Sequence, residues 1–169
     1  MTDRLLDDLA DRARNRWYGK YRGQVTAVDE TTLRIKATVP SVLGSVPTGW
    51  CLPCVPYAGP QVGFFFLPEA GAAVWIEFEG GDVSYPIWVG CFWRAGEIPG
   101  DATPVRRGLV TKAPHKLVFD DDAGEVTVAD ANGGSLLFGS DGVTISAGSG
   151  TVAVSDSGVS LNDDAFKVS

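Results

Sequence analysis

Two groups of side chains have the types and spacing for chemistry. The first is Cys51 and Cys54, a C-x-x-C within "WCLPCVPY", with Cys91 and the single histidine, His115, as the plausible further soft donors. Such a set would suit a redox pair or half of a zinc site, which takes about four ligands. A redox thiol of this kind stands at a helix N-terminus, which lowers its pKa. The prolines around Cys54 instead make a strand entering a turn. Structural cysteine, behaving as a small buried hydrophobe, is the better reading, and no metal or cofactor is expected. The second group is the carboxylates Glu69, Glu77, Glu79 and Asp82. Glycoside hydrolysis needs two carboxyl groups at a set separation in a cleft. These four fall on a tight hairpin and its flanking loop, where solvated or paired side chains are expected, and no catalytic residue is assigned.

The elements that must carry these residues come from patterning. At 169 residues, with 44% hydrophobic and 21% charged side chains, the chain is about one domain plus a small appendage. A net charge of −7 argues against wrapping nucleic acid, because neutralising phosphates takes a basic stripe. No run of about 18 apolar residues spans a membrane. The opening "MTDRLLDDLADRARNR" has no apolar signal region, so assembly in the cytoplasm without a signal peptide is expected.

Residues 2–17 read as a helix, with Leu5, Leu9, Ala13 and Trp17 recurring at i+4. β signals follow. "LRIKATV" sets Leu33, Ile35, Ala37 and Val39 on one face, and "AAVWIEFEG" sets Val74, Ile76 and Phe78 inward with Trp75 and Glu77 outward. With "GKYRGQVTAVD", "WCLPCVP" and "YPIWVGCFW" these make five strands, which suggests a small OB-type barrel. The connection usually made by a helix in that fold is here "YAGPQVGFFFLPEAG", which cannot be one. Trp75 and Trp88 are read as outward-facing and keep a nucleic-acid stacking surface in view.

Composition then changes. All five tryptophans and all four tyrosines lie at or before Trp93, and from residue 118 the only basic residue is Lys167. Gly124, Gly133, Gly142, Gly150 and Gly158 punctuate short strands every eight or nine residues. Such strands carry little core volume and cannot bury enough surface alone. The tract is expected to fold by winding with copies of itself, and an intertwined trimer is the simplest solution without exposed edges. The division expected is an arm over residues 1–18, a barrel over 19–94, a linker over 95–114 and a needle over 115–169.

"PYAGPQVGFFFLPEAGAAVWIEFEGGDVSYPIWVGCFW", extended back through "IKATVPSVLGSVPTGWCLPC", resembles the OB-fold spike proteins of contractile tails, that is, phage baseplate assembly protein V and the spike portion of VgrG. "HKLVFDDDAGEVTVADANGG" looks like the start of that family's trimeric β-helix. The resemblance implies an all-β homotrimer with a helical arm, an OB barrel and a β-prism needle. It further implies a tail hub partner, a PAAR-type tip protein at the apex, transient contact with a target membrane and a place in a virion or injection particle. The residues carrying the packing signature are Tyr57, Gly59, Pro60, Gly63, Phe64, Phe66, Pro68, Gly71, Val74, Phe78, Gly81, Asp82, Pro86 and Gly90. Phe64 and Phe66 are expected to point into the barrel or toward a neighbouring subunit, and Leu5, Leu9, Trp17, Trp75 and Trp88 to meet the hub or another copy. Some relatives close the apex with an H-x-H iron site; His115 lies well before the end, so that tip is excluded. The competing readings are an OB-fold nucleic-acid binder and a tail-associated wall hydrolase.

Overall fold

The computed structural model describes residue 10, residues 15–162 and residues 166–168. Leu5, Leu9 and most of the expected helix lie outside the described residues, while Trp17 is described and is not helical. The chain divides into two compact units, Met1–Glu97 and Ile98–Ser169. No helix among the described residues is long and apolar enough to cross a membrane.

In the first unit β1 (Tyr21–Asp29) and β2 (Arg34–Thr38) form a hairpin, α1 (Pro40–Leu43) is a single turn, and β3 (Leu52–Pro53) follows. A miniature hairpin of β4 (Ala58–Gly59) and β5 (Val62–Gly63) precedes β6 (Ala73–Phe78) and β7 (Pro86–Cys91). The sheet order is β2-β1-β6-β7-β3, antiparallel except for β3 beside β7. A bridge between Ile35 and Cys51 joins β2 to β3 and closes the ring. Five strands closed this way are the Greek-key barrel of an OB fold.

Alternation explains the core. Ile35, Ala37 and Val39 from one strand, and Val74, Ile76 and Phe78 from another, are buried together with Val25, Cys51 and Trp88. Two expectations need correcting. Leu33 does not join its strand's core face: it ends the Asp29–Thr32 turn at φ +52 and is exposed. There the Asp29 carboxylate accepts the Thr31 and Thr32 N–H groups, and these bonds set the chain reversal before the strand begins. Trp88 is not outward-facing but buried in the barrel, opposite Ile76, with its Nε1–H donating to the Gly90 carbonyl. "YPIWVGCFW" is apolar on both faces, so its alternation carries no phase. A bulge in the β6–β7 pairing sets it, where Trp75 faces Gly90 and Ile76 faces Trp88.

The second unit is one eight-stranded antiparallel meander in chain order. It comprises β8 (Arg106–Val110), β9 (Lys116–Asp120), β10 (Glu125–Ala129) and β11 (Ser135–Gly139). β12 (Gly142–Ala147), β13 (Gly150–Ser155), β14 (Gly158–Leu161) and β15 (Phe166–Val168) complete it. β8 lies inside the stretch expected as linker and pairs with β9 from Arg106 to Val110. Two arginines and a glycine hide its strand pattern in the sequence.

Candidate self-association surfaces

The register of the meander sorts its side chains onto two unlike faces. Leu109 stands opposite Leu117, which continues through Val128 to Leu136 on the next two strands. The same row runs on through Ile145, Val152 and Leu161 to Phe166. Two residues along each strand a second row starts with Arg107 and Phe119 and continues through Val126 and Phe138. It then passes through Val143 and Val154 to Val159. Between these rows the opposite face carries mostly smaller or more polar groups, Thr127, Thr144, Ala153 and Ser160, together with Val118 and Leu137.

This apolar face is uncovered in the single chain. Phe119, Val128, Phe138, Ile145, Val154 and Phe166 are 44, 45, 44, 52, 47 and 61% exposed. Eight strands at about 4.8 Å spacing make the face roughly 34 Å tall, and monomers seldom leave an apolar patch of that extent in water. Three phenylalanines and four leucines on it supply more volume than the small alternating residues of the tract suggest. Individual strands do reveal the alternation. What the sequence hides is that consecutive turns keep it in phase.

At the start of this sheet the ionised groups are locally satisfied. Asp120 Oδ1 accepts the N–H groups of Asp122 and Ala123 at 3.2 and 3.1 Å, and Arg106 Nε donates to Oδ2 at 2.5 Å. The Ala123 N–H first, then the Arg106 guanidinium, hold this carboxyl below its ordinary range. A carboxyl whose folded pKa is depressed contributes its full stabilisation above the unfolded value of about 4, and the contribution fades as pH falls through the folded one. Acid melts below about pH 4 are therefore expected to drop more steeply for the native chain than for Asp120→Asn, which lacks the group at every pH. Parallel acid curves would remove Asp120 from the account. Arg107 pairs with Asp121, and Lys116 with Asp101.

The signature residues of the barrel separate into supports and surface. Val74, Phe78, Pro68 and Pro86 are buried. Gly81, at φ +76, lets the entering chain approach: Trp17 N–H donates to its carbonyl at 2.8 Å, and a Cβ there would meet Trp17 N at 2.9 Å. Asp82 fixes the same segment through Arg16 at 3.1 Å, while its other oxygen accepts the Ser84 N–H, the main reason its carboxyl is held low. Trp17 packs against the core edge-on to Tyr21, so its apolar body is occupied within its own barrel. The Gly71 carbonyl accepts bonds from both Gln24 and Arg94. Tyr57, Gly59, Pro60 and Gly63 build the miniature hairpin, and Phe64 and Phe66 lie beyond it with ring centroids 4.7 Å apart. Neither points into the barrel: they are 49 and 47% exposed. Proline and glycine on either side hold the run away from the core as a loop.

Several of the residues with chemical potential are committed elsewhere, while Cys54 and Cys91 are exposed free thiols. Cys51 is buried beside the Thr48 hydroxyl at 3.3 Å, and burial pushes its thiol pKa up. Glu77 pairs with Lys20 at 2.8 Å. His115 Nδ1 accepts the Ala131 N–H at 3.3 Å, so the ring ties one hairpin to the next. Trp75 is covered by Phe92 at 4.9 Å and by Arg22 at 5.7 Å, which occupies the face a nucleobase would need.

Residues 21–93 match the type VI secretion system/phage-baseplate injector OB domain, and residues 108–167 match the phage baseplate V C-terminal trimerisation domain. No curated protein matches the chain. The first match coincides with the closed barrel and the second with the sheet whose apolar face is bare. With both domains present in order, the chain belongs to the phage-baseplate V family, an OB domain followed by a trimerisation domain.

Proposed function

We propose that three copies of this chain form the central spike of a contractile injection device. The observation that carries this reading is the uncovered apolar face of the C-terminal sheet. Three such faces turned inward would make a triangular prism, each buried Val, Leu, Ile or Phe contributing about 1.5–3 kcal/mol relative to water. Each strand level would bring the same residues of three copies together, so that Phe119 and Phe138 layers alternate with the valine layer of Val126. Interleaved large and small layers fill such a core without voids. The polar outer face, with Asp141 and Asp156 on its turns, would keep a narrow rod in solution and deter lateral pairing.

In this reading the role is mechanical. The OB domains join the device through its hub, and the prism is driven through the target envelope on sheath contraction. The apex receives a separate tip protein. Sedimentation of the purified full chain tests the base of the proposal: three times the chain mass is expected, and a monomer would refute it. Loss of envelope penetration, with intact sheath contraction, is expected of particles assembled without this chain.

A further inference from the structure

The turn between β10 and β11 carries chemistry that needs neither a partner nor a cofactor. It runs through Asp130, Ala131, Asn132, Gly133 and Gly134, and both Asn132 and Gly133 are exposed. An asparagine followed by glycine puts its side-chain amide carbon within reach of the next residue's backbone nitrogen. Glycine lacks the Cβ that would crowd that approach. The chain holds three asparagines, Asn15, Asn132 and Asn162, and of these Asn132 alone precedes a glycine.

The hydrogen bonds of the turn leave the attacking group free. Asp130 Oδ1 accepts the N–H groups of Gly134 at 2.7 Å and Asn132 at 2.9 Å, and these bonds, in that order, hold its carboxyl below the ordinary range. The N–H between them, that of Gly133, donates to no group among the described residues. Gly133 takes φ +92, which glycine adopts without strain. Asn132 Nδ2 rests on Asp130 Oδ2 at 3.4 Å, a long contact that leaves the side chain little restrained. Asn162 has the opposite setting. Its Oδ1 accepts the Thr151 N–H at 3.0 Å, which ties the side chain down, and an aspartate follows it. Asn15 precedes Arg16, whose side chain crowds the attacking nitrogen.

We infer that Asn132 is a self-modification site, where the Gly133 backbone nitrogen closes on the side-chain amide and turns it into a carboxyl. The Gly133 nitrogen gives up its proton and bonds to Asn132 Cγ. The Cγ–Nδ2 bond breaks, and that nitrogen leaves as ammonia with the proton. Solvent water then opens the cyclic imide. Addition at Cγ gives aspartate, and addition at the Asn132 main-chain carbonyl carbon gives isoaspartate, whose main chain runs through the side chain. Nothing is oxidised or reduced. Either product adds a carboxylate to a turn that already holds Asp130, and carboxylates sharing a site repel. Isoaspartate also lengthens the main chain by a methylene group next to Ala131, whose N–H is held by His115 Nδ1. Modification therefore loosens the tie between this turn and the one before β9. The inference rests on the single chain and not on its assembly.

Peptide mapping by mass spectrometry of the full chain, aged at mildly alkaline pH, reads the site directly. Asn132 is expected to convert about tenfold faster than Asn15 or Asn162, because no Cβ crowds the nitrogen that follows it. Its rate should approach that of a free peptide with the sequence of residues 128–136. Isoaspartate is expected beside aspartate, since the imide opens at either carbonyl. Asn132→Gln, which keeps the amide on a longer arm, is expected to abolish the conversion. Conversion no faster than at Asn162, or far slower than in the free peptide, would overturn the inference by showing that the fold holds the groups apart. Aspartate without isoaspartate would overturn it too, because water would then have attacked the amide directly. Aged native protein should melt below fresh protein while aged Asn132→Gln keeps its midpoint, and a drop shared by both would sink the loosening of the turn.

Discussion

Ile145→Asp is expected to abolish self-association. Ile145 lies in the middle of the longer apolar row, between Leu136 and Val152 on neighbouring strands, and is 52% exposed in the single chain. An aspartate there meets water, so the cost within the isolated chain is about 1 kcal/mol of strand preference. In the prism the same change places three carboxylates in a dry seam around one axis. Removing a charge from water costs several kcal/mol per ion even after relaxation, and each 1.4 kcal/mol is a factor of about ten in association. No cation on that face lies on the strands beside it to offset the charge. Sedimentation should show the single-chain mass at concentrations where the native chain is fully trimeric. Thr144→Asp, one residue away on the opposite face, is the control and should retain the trimer. If both variants stay trimeric, the apolar face is not the seam.

The second large effect is expected from Gly142→Ala. Gly142 starts β12 opposite Gly139 and takes φ +121, a conformation that side chains rarely adopt. A Cβ on it would overlap the carbonyl oxygen of Val154 on β13, so the strain comes with a collision against backbone. The neighbouring strands cannot move aside without shifting the register that keeps the apolar rows in phase. A destabilisation of about 3 kcal/mol or more per chain is expected, at the high end for single substitutions. Gly148 is the useful comparison, because it has φ +59 but nothing within 4 Å of a built Cβ. Its replacement by alanine should cost about 1 kcal/mol, the backbone strain alone. Denaturant melts followed by circular dichroism would separate the two. Equal midpoints would mean that the close approach of β12 and β13 is not as described.

Much of this architecture is legible in the residues. Strands such as "LRIKATV" and "AAVWIEFEG" have one polar and one apolar face, so period-two alternation fixes both their existence and their phase, apart from Leu33 at the turn. "YPIWVGCFW" shows where that signal ends. With apolar side chains on both faces, its inward set depends on the partner strand and on the bulge at Gly90, which put Trp88 in the core. The aromatic loop is similar. Its prolines and glycines exclude a helix, yet whether Phe64 and Phe66 enter the barrel depends on how much core β6 and β7 have already filled.

The C-terminal half divides the same way. Glycine spacing and alternation by themselves determine a chain of short strands with too little core to stand alone, and hence a need for partners. Only the tertiary structure decides that the two-residue turns at Ser140–Asp141 and Gly148–Ser149 keep successive strands in phase. A one-residue slip of the pairing at these turns would turn the next strand over and scatter the apolar rows across both faces. β8 also becomes visible only through its pairing, since "RRGLV" has no pattern of its own until Leu109 meets Leu117. Local periodicity is a property of neighbours in sequence and can be read there. Which face a strand presents, and what that face must be covered by, depends on contacts between residues far apart in the chain, and only the folded sheet sets those.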